Sequence, residues 1–376
     1  MISETRERDS RGRKLNVAVL MGGRTAEHEI SVASGKMVVQ NLDLEKYNIK
    51  PVTITREGSW LVPRGYLSDE RQVKELLSSG FTHDGDNNKL VPVETGSALT
   101  QTASDRVDVV FLAMHGPYGE DGTIQGLLEL LDLPYTGSNV ESSAISMNKI
   151  RCKEIFSRHG IPTPRYAVVE ETGWRRRPDA ALGRIEKKLG FPCVTKPPRL
   201  GSSVGMKIAE DAEALRQGIE LALRYDSSVL VEEFITGREL TSPVLGNIPG
   251  KRPIALPLVE IVPKISAYFD YEAKYMPGGS DEITPARIDD KLTKKAQRLG
   301  VKVHKVLGCG GLSRTDMILN GDSLYVLETN TIPGLTEMSL FPKAARAMGM
   351  SFSQLLDHLI EVAIETHRAR KICTDR

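Results

Sequence analysis

Hard oxygen ligands and one guanidinium group are regularly spaced near the C-terminus of this chain. Arg314 and Asp316 lie two residues apart, so a β-strand would place both side chains on one face. Glu328 and Asn330 have the same spacing on the far side of the turn residues Asn320-Gly321-Asp322. Carboxylate and amide oxygens suit Mg²⁺, and a guanidinium suits an anion. The pattern predicts a nucleoside-triphosphate site on a sheet, and the alternative is a surface hairpin with scattered charges.

The length of the turn decides whether the two carboxylates share a face. A two-residue turn at Asn320-Gly321 would place Asp316 and Glu328 on opposite faces. A three-residue loop from Asn320 to Asp322 places Asp316 opposite Val326 and diagonal to Glu328, within reach of a shared ion. We therefore predict the three-residue loop.

A Gly- and Ser-rich loop, residues 199–205, lies between two predicted strands. Its backbone N–H groups and the hydroxyls of Ser202 and Ser203 could approach phosphate oxygens. Lys196, at the end of the preceding strand, adds a point charge for phosphate. An ordinary Gly/Ser turn would have the same composition, and no P-loop motif is present. Lys149 is predicted in the body of a helix from Asn139 to His159, where a solvated lysine is the default.

A second nucleotide feature is the strand that ends in Glu232-Glu233-Phe234-Ile235. Apolar walls and main-chain groups at this strand end suit an adenine slot, with Glu239 within reach of the ribose. The alternative is a strand that ends at the surface.

Three further residues have types that suit a polar substrate. Glu27 lies at a predicted helix start, where an acidic residue is favourable on dipole grounds alone, but where it could also hold an ammonium group. His115, at a strand end, is either a satisfied turn histidine or a neighbour of the substrate. The backbone N–H of Gly334 could form half of an oxyanion site, with Arg314 as the other half.

The bulk composition is that of an ordinary globular protein. A length of 376 residues with 40% hydrophobic and 26% charged residues favours two or three domains. The net charge of +1 gives no argument for nucleic-acid or membrane partners. The four scattered cysteines predict free thiols. The charged N-terminus differs from a signal peptide, and no apolar run approaches the roughly 20 residues of a membrane span. We therefore predict a cytoplasmic protein.

The order of elements predicts three folded units after a disordered tail at residues 1–14. Strands alternate with helices over residues 15–138, which predicts a doubly wound parallel α/β domain that binds ligands at the carboxyl ends of its strands. Residues 139–226 form a central unit. Residues 227–376 form a C-terminal unit that contains the hairpin and a long aperiodic segment, residues 263–287. A loop that long is usually functional or disordered.

These motifs, in this order, resemble the D-alanine–D-alanine ligase branch of the ATP-grasp family. The resemblance extends from Val17 to about Ile360. It rests on the combination of residues 22–31, 115–122, 196–206, 270–275, 314–316 and 327–334.

The resemblance implies an α/β ATP-grasp fold behind an N-terminal doubly wound parallel-sheet domain, with ATP between the central and C-terminal units. It implies ligation of two D-alanine molecules through an acyl phosphate, for peptidoglycan precursor synthesis, by a homodimer. The residues implied in nucleotide and metal binding are Lys149, Lys196 and Lys274 at the phosphates, Glu232, Glu233, Phe234, Ile235 and Glu239 at adenosine, and Asp316, Glu328 and Asn330 at two Mg²⁺ (or Mn²⁺) ions.

The resemblance also implies how the substrates are held. Ser202 would hydrogen-bond to Glu27 and to Tyr275, which ties the Gly-rich loop to a lid. The other residues implied around D-alanine are Glu27 at the first ammonium, His115 beside the first substrate, Ser339 and Leu340 at the second carboxylate, and Arg314 and the Gly334 amide at the tetrahedral intermediate.

Three alternatives remain. A D-alanine–D-lactate ligase has the same overall motifs, but the Lys274-Tyr275 pair resembles the dipeptide-forming branch. A non-catalytic nucleotide-binding protein would have no need of the full set of metal ligands. A dinucleotide-dependent oxidoreductase would rest on Gly22-Gly23 alone, without a Gly-x-Gly-x-x-Gly fingerprint.

Overall fold

The computed structural model describes residues 12–79, 90–94, 99, 106–264 and 279–374. Lys274 and Tyr275 of the predicted lid, and most of the predicted tail, lie outside these ranges. The β-strands are β1 Leu15–Gly22, β2 Tyr47–Ile54, β3 Trp60–Pro63, β4 Leu90–Val93, β5 Val109–Leu112, β6 Tyr166–Glu170, β7 Cys193–Lys196, β8 Lys207–Ala209, β9 Ser228–Glu233, β10 Arg238–Leu245, β11 Ile254–Ala255, β12 Val259–Pro263, β13 Ser280–Ile283, β14 Leu312–Asn320 and β15 Ser323–Asn330.

The helices lie between these strands and at the C-terminal end. They are α1 His28–Asn41, α2 Glu70–Ser79, α3 Thr123–Leu130, α4 Val140–Met147, α5 Lys149–Arg158, α6 Glu171–Arg176, α7 Pro178–Leu189, α8 Ala212–Ala222, α9 Asp290–Val306, α10 Leu340–Ala347 and α11 Phe352–Thr374. Within the described part of the chain, no helix combines the length and apolarity needed to cross a membrane.

The N-terminal sheet has the strand order β4-β3-β2-β1-β5. Strands β2, β1 and β5 are parallel, as predicted, whereas β3 and β4 pair antiparallel at one edge. The segment between β2 and β3 is too short for the crossover that a parallel pair needs, so β3 turns back. The predicted doubly wound parallel sheet therefore carries two antiparallel strands at one edge.

Both faces of the N-terminal sheet are covered, because successive residues of β1 enter two separate cores. Val17, Val19 and Met21 pack in one hydrophobic cluster, and Ala18 and Leu20 pack in the other. A strand buried on both faces has a continuous apolar sequence. The polar loops at its carboxyl end are then left to form a ligand site.

The central sheet is antiparallel, with the order β6-β9-β7-β8. Apolar residues of α7 and α8, such as Ile185, Leu215 and Ile219, pack with Val229 and Val231 of β9 on one face. The sequence predicted that the β9 strand opens the C-terminal unit, but its hydrogen-bonded neighbours are β6 and β7. β9 therefore belongs to the central sheet through hydrogen bonds to strands that are distant in sequence. Local residue patterns do not encode such pairing.

The C-terminal sheet has the order β13-β12-β10-β14-β15, and β11 pairs with β10. All its pairings are antiparallel. Ala296 of α9 packs in one cluster with Leu240 of β10 and Met317 of β14, so this helix covers one face of the sheet. The opposite face is directed toward the central sheet across a cleft.

The predicted helix from Asn139 to His159 is two helices. Asn148 has an extended ψ of 96° and stops α4, and its side chain accepts hydrogen bonds from the N–H groups of Ile150 and Arg151. An asparagine in this conformation is a favourable N-cap, so a second helix begins directly after it. Lys149 is therefore the first residue of α5 and does not lie in the body of a helix.

Candidate active site

Asp316 and Glu328 lie directly opposite each other on β14 and β15. The turn is two residues long, because Asn320 pairs with Ser323, so the predicted three-residue loop is wrong. The register then shifts between Asp316 and Met317. Without that shift Asp316 would pair with Leu327, and Glu328 would point to the other face. The extra residue, a β-bulge, brings the carboxylates to the same face.

The side chains of this hairpin form a charge-paired group. Arg314 donates to both carboxylate oxygens of Asp316, at 2.9 and 2.7 Å. Asn330 Nδ2 donates to Asp316 Oδ2 at 3.1 Å. Lys149 Nζ lies 3.0 Å from Glu328 Oε2 and also donates to the carbonyl of Leu200. Both carboxylates are thereby fixed in place by partners on other parts of the site.

The donor set of the hairpin fits Mg²⁺ better than it fits a zinc-type site. Among the described residues, no three His, Cys, Asp or Glu side chains converge on one point. The hairpin supplies two carboxylates and one amide, and Asn330 Oδ1 makes no hydrogen bond to another described residue. Mg²⁺ is usually held by one or two carboxylates, and substrate phosphates and waters complete its shell.

A cleft between the central and C-terminal sheets is lined by most of the residues predicted to bind ATP. Val194 and Ile208 of the central sheet and Ile318 and Leu327 of the C-terminal sheet supply apolar walls. The predicted residues that line it are Lys149, Lys196, Ser203, Glu232, Glu233, Phe234, Ile235, Glu239, Asp316 and Glu328. Apolar walls with a few converging polar groups are typical of a cofactor site.

Glu232 is buried between two lysines at the inner end of this cleft. Its carboxylate contacts the ammonium groups of Lys153 and Lys196. Burial opposes the charge of Glu232, but the two lysines outweigh it and hold its pKa below the usual value. Burial likewise opposes the charge of Lys196, whereas Glu232 and Glu328 raise its pKa. Lys196 therefore stays charged.

Lys153 is a member of this group that the sequence analysis missed. Its side chain is fully buried, and its ammonium donates to Thr163 Oγ1 at 2.5 Å and to the carbonyl of Val326 at 3.3 Å. Burial lowers the pKa of Lys153. The spacing of Lys153 from Lys149 could have indicated its role. The two lysines are four residues apart, so on a helix they share a face, and Lys149 was already a candidate site residue.

Glu233 lines the cleft where the sequence analysis predicted an adenine slot. Its carboxylate accepts from the backbone N–H of Arg165 at 2.7 Å and from Arg165 Nε at 2.6 Å. Both oxygens are thus engaged by Arg165, which fixes this edge of the cleft.

Glu27 and Ser202 join the N-terminal domain to the Gly-rich loop. Ser202 Oγ donates to Glu27 Oε1 at 2.5 Å, which is the first of the two contacts predicted for Ser202. Gly116 and Gly201 lie against the same carboxylate, and a Cβ atom added to Gly116 would lie 2.4 Å from Glu27 Oε2. The predicted second contact, with Tyr275, involves a residue outside the described ranges, as does the predicted phosphate contact of Lys274.

Gly334 lies in a tight loop before α10. A Cβ atom on Gly334 would lie 2.7 Å from Ser339 Oγ, so the close approach favours glycine. The N–H of Gly334 makes no hydrogen bond to another described residue. Ser339 precedes α10, and Pro342 has no N–H, so the first turn of the helix presents the N–H groups of Leu340 and Phe341. A helix N-terminus of this kind suits a carboxylate.

His115 and Glu120 lie beneath this loop. Both His115 ring nitrogens are engaged, Nε2 with Ser34 Oγ and Nδ1 with the carbonyl of Ile332, each at 2.9 Å. Burial lowers the pKa of His115. Glu120 is within one of the sequence motifs but was not singled out as a site residue.

Comparisons with known proteins agree with this geometry. Residues 16–138 match the family model described as the D-ala D-ala ligase N-terminus, and residues 155–361 match the one described as its C-terminus. The chain is 42% identical to the D-alanine–D-alanine ligase of Syntrophobacter fumaroxidans, with 94% of this chain and 98% of that protein covered. It is 41% identical to the D-alanine–D-alanine ligase of Desulforamulus reducens, with 93% and 99% covered.

Solved structures give the same result. The D-alanine–D-alanine ligase of Coxiella burnetii superposes with a TM-score of 0.79 at 31% identity, over 96% of this chain and 98% of that chain. The VanG D-Ala:D-Ser ligase of Enterococcus faecalis superposes with a TM-score of 0.77 at 34% identity, over 93% and 100%. The matched sequence, the two-sheet cleft and its charged hairpin lead to one assignment: this chain belongs to the D-alanine–D-alanine ligase family of ATP-grasp enzymes.

Proposed function

We propose that this chain joins two D-alanine molecules into D-alanyl-D-alanine at the expense of ATP, for peptidoglycan precursor synthesis. The observation that carries the proposal is the contact of Lys149 Nζ with Glu328 Oε2, 3.0 Å apart in the cleft. This contact supports the proposal, because a lysine suited to bind phosphate lies beside a carboxylate suited to bind a divalent cation. Glu27, which would hold the first substrate, is tied by Ser202 to the loop that borders the same cleft.

In the first half-reaction, the carboxylate of the first D-alanine attacks the γ-phosphorus of ATP and ADP leaves. Phosphoryl transfer depends mainly on positioning and charge neutralisation. Lys149 and Lys196 offset the charge of the phosphates, and Glu27 holds the substrate ammonium. The hydrogen bond from Ser202 fixes the Glu27 side chain. The first D-alanine, held by its ammonium group, therefore presents its own carboxylate to ATP in one orientation.

Asp316, Glu328 and Asn330 would hold two Mg²⁺ or Mn²⁺ ions. When bound, such ions neutralise charge on the transferring phosphoryl group. The support is the donor chemistry of the hairpin, in which two carboxylates face each other and an amide oxygen is close by. Arg314, paired with Asp316, adds a guanidinium at the same face.

In the second half-reaction, the amine of the second D-alanine attacks the acyl phosphate carbonyl. Arg314 and the Gly334 N–H would stabilise the oxyanion of the tetrahedral intermediate, which then expels phosphate. Ser339 and the N–H of Leu340, at the N-terminus of α10, would hold the carboxylate of the second substrate. Water would destroy the acyl phosphate, so the site must be closed while it exists.

We also propose that the chain acts in the cytoplasm as a homodimer. The support is the family resemblance and the use of ATP as a substrate. Sedimentation velocity of the purified protein tests the assembly, since a monomer at assay concentration would contradict it.

The test of function is a reaction of the purified protein with ATP, Mg²⁺ and D-alanine, in which phosphate and dipeptide are both quantified. We expect equal amounts of each and no dipeptide with L-alanine. Phosphate release that is independent of D-alanine would favour the non-catalytic or hydrolytic alternatives. D-Serine and D-lactate, offered as second substrates across a pH series, distinguish the dipeptide ligase from a D-Ala:D-Ser or D-alanine–D-lactate ligase.

A further inference from the structure

The loop that contains Gly334 is held by side chains of the N-terminal domain. Both backbone groups of Ile332 are engaged: its N–H donates to Glu120 Oε1 at 2.9 Å, and its carbonyl contacts His115 Nδ1 at 2.9 Å. Three residues further on, the N–H of Leu335 donates to Ser34 Oγ at 3.3 Å. Pro333 and Gly334 are the residues between these two anchored positions, so the anchors determine where the Gly334 amide points.

The protons of this network have one consistent arrangement. The Ile332 carbonyl can only accept, so His115 Nδ1 carries the hydrogen. In the neutral ring Nε2 must then accept from the hydroxyl of Ser34, and the Ser34 oxygen remains free to accept from Leu335. Ser34 and His115 are 0% and 4% exposed, so water does not compete for these bonds. A buried and fully satisfied network specifies one geometry.

Glu120 links this network to the loop that surrounds Glu27. Its second oxygen, Oε2, accepts from the N–H of Gly116 at 3.0 Å, and Gly116 packs against the Glu27 carboxylate. One buried carboxylate therefore holds the first-substrate loop with one oxygen and the Gly334 loop with the other. Burial and the charge of Glu27 raise the pKa of Glu120, whereas its two backbone hydrogen bonds and the charge of Arg314 lower it, so Glu120 lies close to both charged groups.

We propose that Glu120, together with His115 and Ser34, is a positioning residue. These side chains orient the N–H of Gly334 toward the carbonyl of the first substrate, which is bound beside Glu27. This inference rests on the proposed function, because it assigns the amide to the oxyanion of the second half-reaction. A purely structural role would predict lost stability without a selective loss of one half-reaction. A positioning role predicts that the acyl phosphate still forms but is converted to dipeptide poorly.

The test is Glu120→Gln. An amide keeps one acceptor oxygen, but its NH₂ group must face either Gly116 N–H or Ile332 N–H, and one hydrogen bond is lost. We expect kcat for dipeptide formation to fall by about 100-fold, the size of effect that a misplacement of about 1 Å produces, with little change in the KM for ATP. The ratio of ADP to dipeptide should rise above one, because stranded acyl phosphate is hydrolysed.

Gln125→Leu is the matched control. Gln125 is fully buried and donates to the carbonyl of Gly119 in the same turn, and within the described part of the chain it makes no hydrogen bond to the Gly334 loop. We expect this variant to lose stability and to keep an ADP-to-dipeptide ratio of one. Ser34→Ala provides a second test if Glu120→Gln does not fold. It removes the acceptor of Leu335 N–H, and we expect the ratio to rise here too.

The outcomes separate the two proposals. If the unmodified protein forms no D-alanyl-D-alanine, the proposed function fails and this inference fails with it. If the unmodified protein is active while folded Glu120→Gln, or Ser34→Ala, keeps equal ADP and dipeptide, the inference alone is overturned. An equal rise of the ratio in Gln125→Leu would also overturn it, because general loosening of the turn would then explain the effect.

Discussion

Asp316 faces Glu328 across the β14–β15 hairpin because one extra residue, Leu327, bulges out of the ladder. The bulge reverses the face on which every later side chain of β15 lies. Two carboxylates that would otherwise lie on opposite faces of the hairpin are thereby brought to the same face. Leu327 itself lines the cleft. A single irregularity in the sheet thus shapes both the carboxylate side and the apolar side of the cleft.

Replacing Glu328 by glutamine should nearly abolish turnover and leave the fold intact. The amide is a weaker metal ligand than the carboxylate, and Lys149 would lose its charged partner. Mg²⁺-dependent tightening of ADP binding, measured by calorimetry, should be lost together with activity. Asp322→Asn is the control, because it removes an exposed carboxylate from the turn of the same hairpin. Normal turnover in Glu328→Gln would count strongly against the metal assignment.

Gly116→Ala should raise the KM for D-alanine by at least about tenfold, because the new methyl group would displace the Glu27 carboxylate. Gly116 also has a φ of +72°, so alanine adds backbone strain. Gly160→Ala controls for strain alone, since Gly160 has a φ of +59° with nothing within 4 Å of the added atom. We expect Gly160→Ala to cost about 1–2 kcal/mol of stability and to keep the KM. If Gly160→Ala raised the KM for D-alanine as much as Gly116→Ala does, displacement of the Glu27 carboxylate would not be the cause.

Lys153→Met should destabilise the protein by about 3–5 kcal/mol, because it leaves the buried Glu232 with one cation fewer. Denaturant unfolding measures the loss, and the KM for ATP should rise because Glu232 lines the cleft. Lys302→Met is the control, because it removes an exposed lysine that donates to the carbonyl of His159. We expect it to change the free energy of unfolding by no more than about 0.5 kcal/mol. A Lys153 variant as stable as Lys302→Met would show that the buried group is not needed.

The stability of the protein should depend on pH through Glu120. Burial and the nearby Glu27 raise the pKa of Glu120 from 4.5 to about 7 in the folded state. The folded state therefore binds more protons than the unfolded state between these values, and stability falls as pH rises through that window, by up to about 1.4 kcal/mol per pH unit. The difference in unfolding free energy between the unmodified protein and Glu120→Gln isolates this effect. A difference that is constant from pH 4.5 to 7 would contradict it.

The family resemblance predicted most of the polar residues that line the cleft, whereas strand alternation and loop composition alone also allowed an ordinary Gly/Ser turn and a strand ending at the surface. The shared face of Asp316 and Glu328 was predicted correctly for an incorrect reason. The predicted loop length was wrong, and the bulge that restores the face depends on how β14 pairs with both β10 and β15. No pattern within the hairpin specifies that remote pairing.

Residues whose roles depend on distant partners were harder to predict. The sequence around Lys153 does not distinguish it from a lysine on the exposed face of a helix. Only the packing of α5 against Glu232 and Val326 shows that Lys153 is buried. Glu120 accepts from Ile332, 212 residues away, so its role required the relative placement of two domains. The division of the predicted helix at Asn148 had a visible signal, since asparagine is a favoured N-cap residue.

The most direct test of the central claim is a crystal structure of the protein with ADP, Mg²⁺ and a phosphinate analogue of the tetrahedral intermediate. We predict two metal ions with oxygen ligands from Asp316, Glu328 and Asn330 at about 2.1 Å, the phosphates against Lys149 and Lys196, and adenine between the two sheets. A nucleotide bound elsewhere, or metal ions that none of these three side chains contacts, would contradict the account.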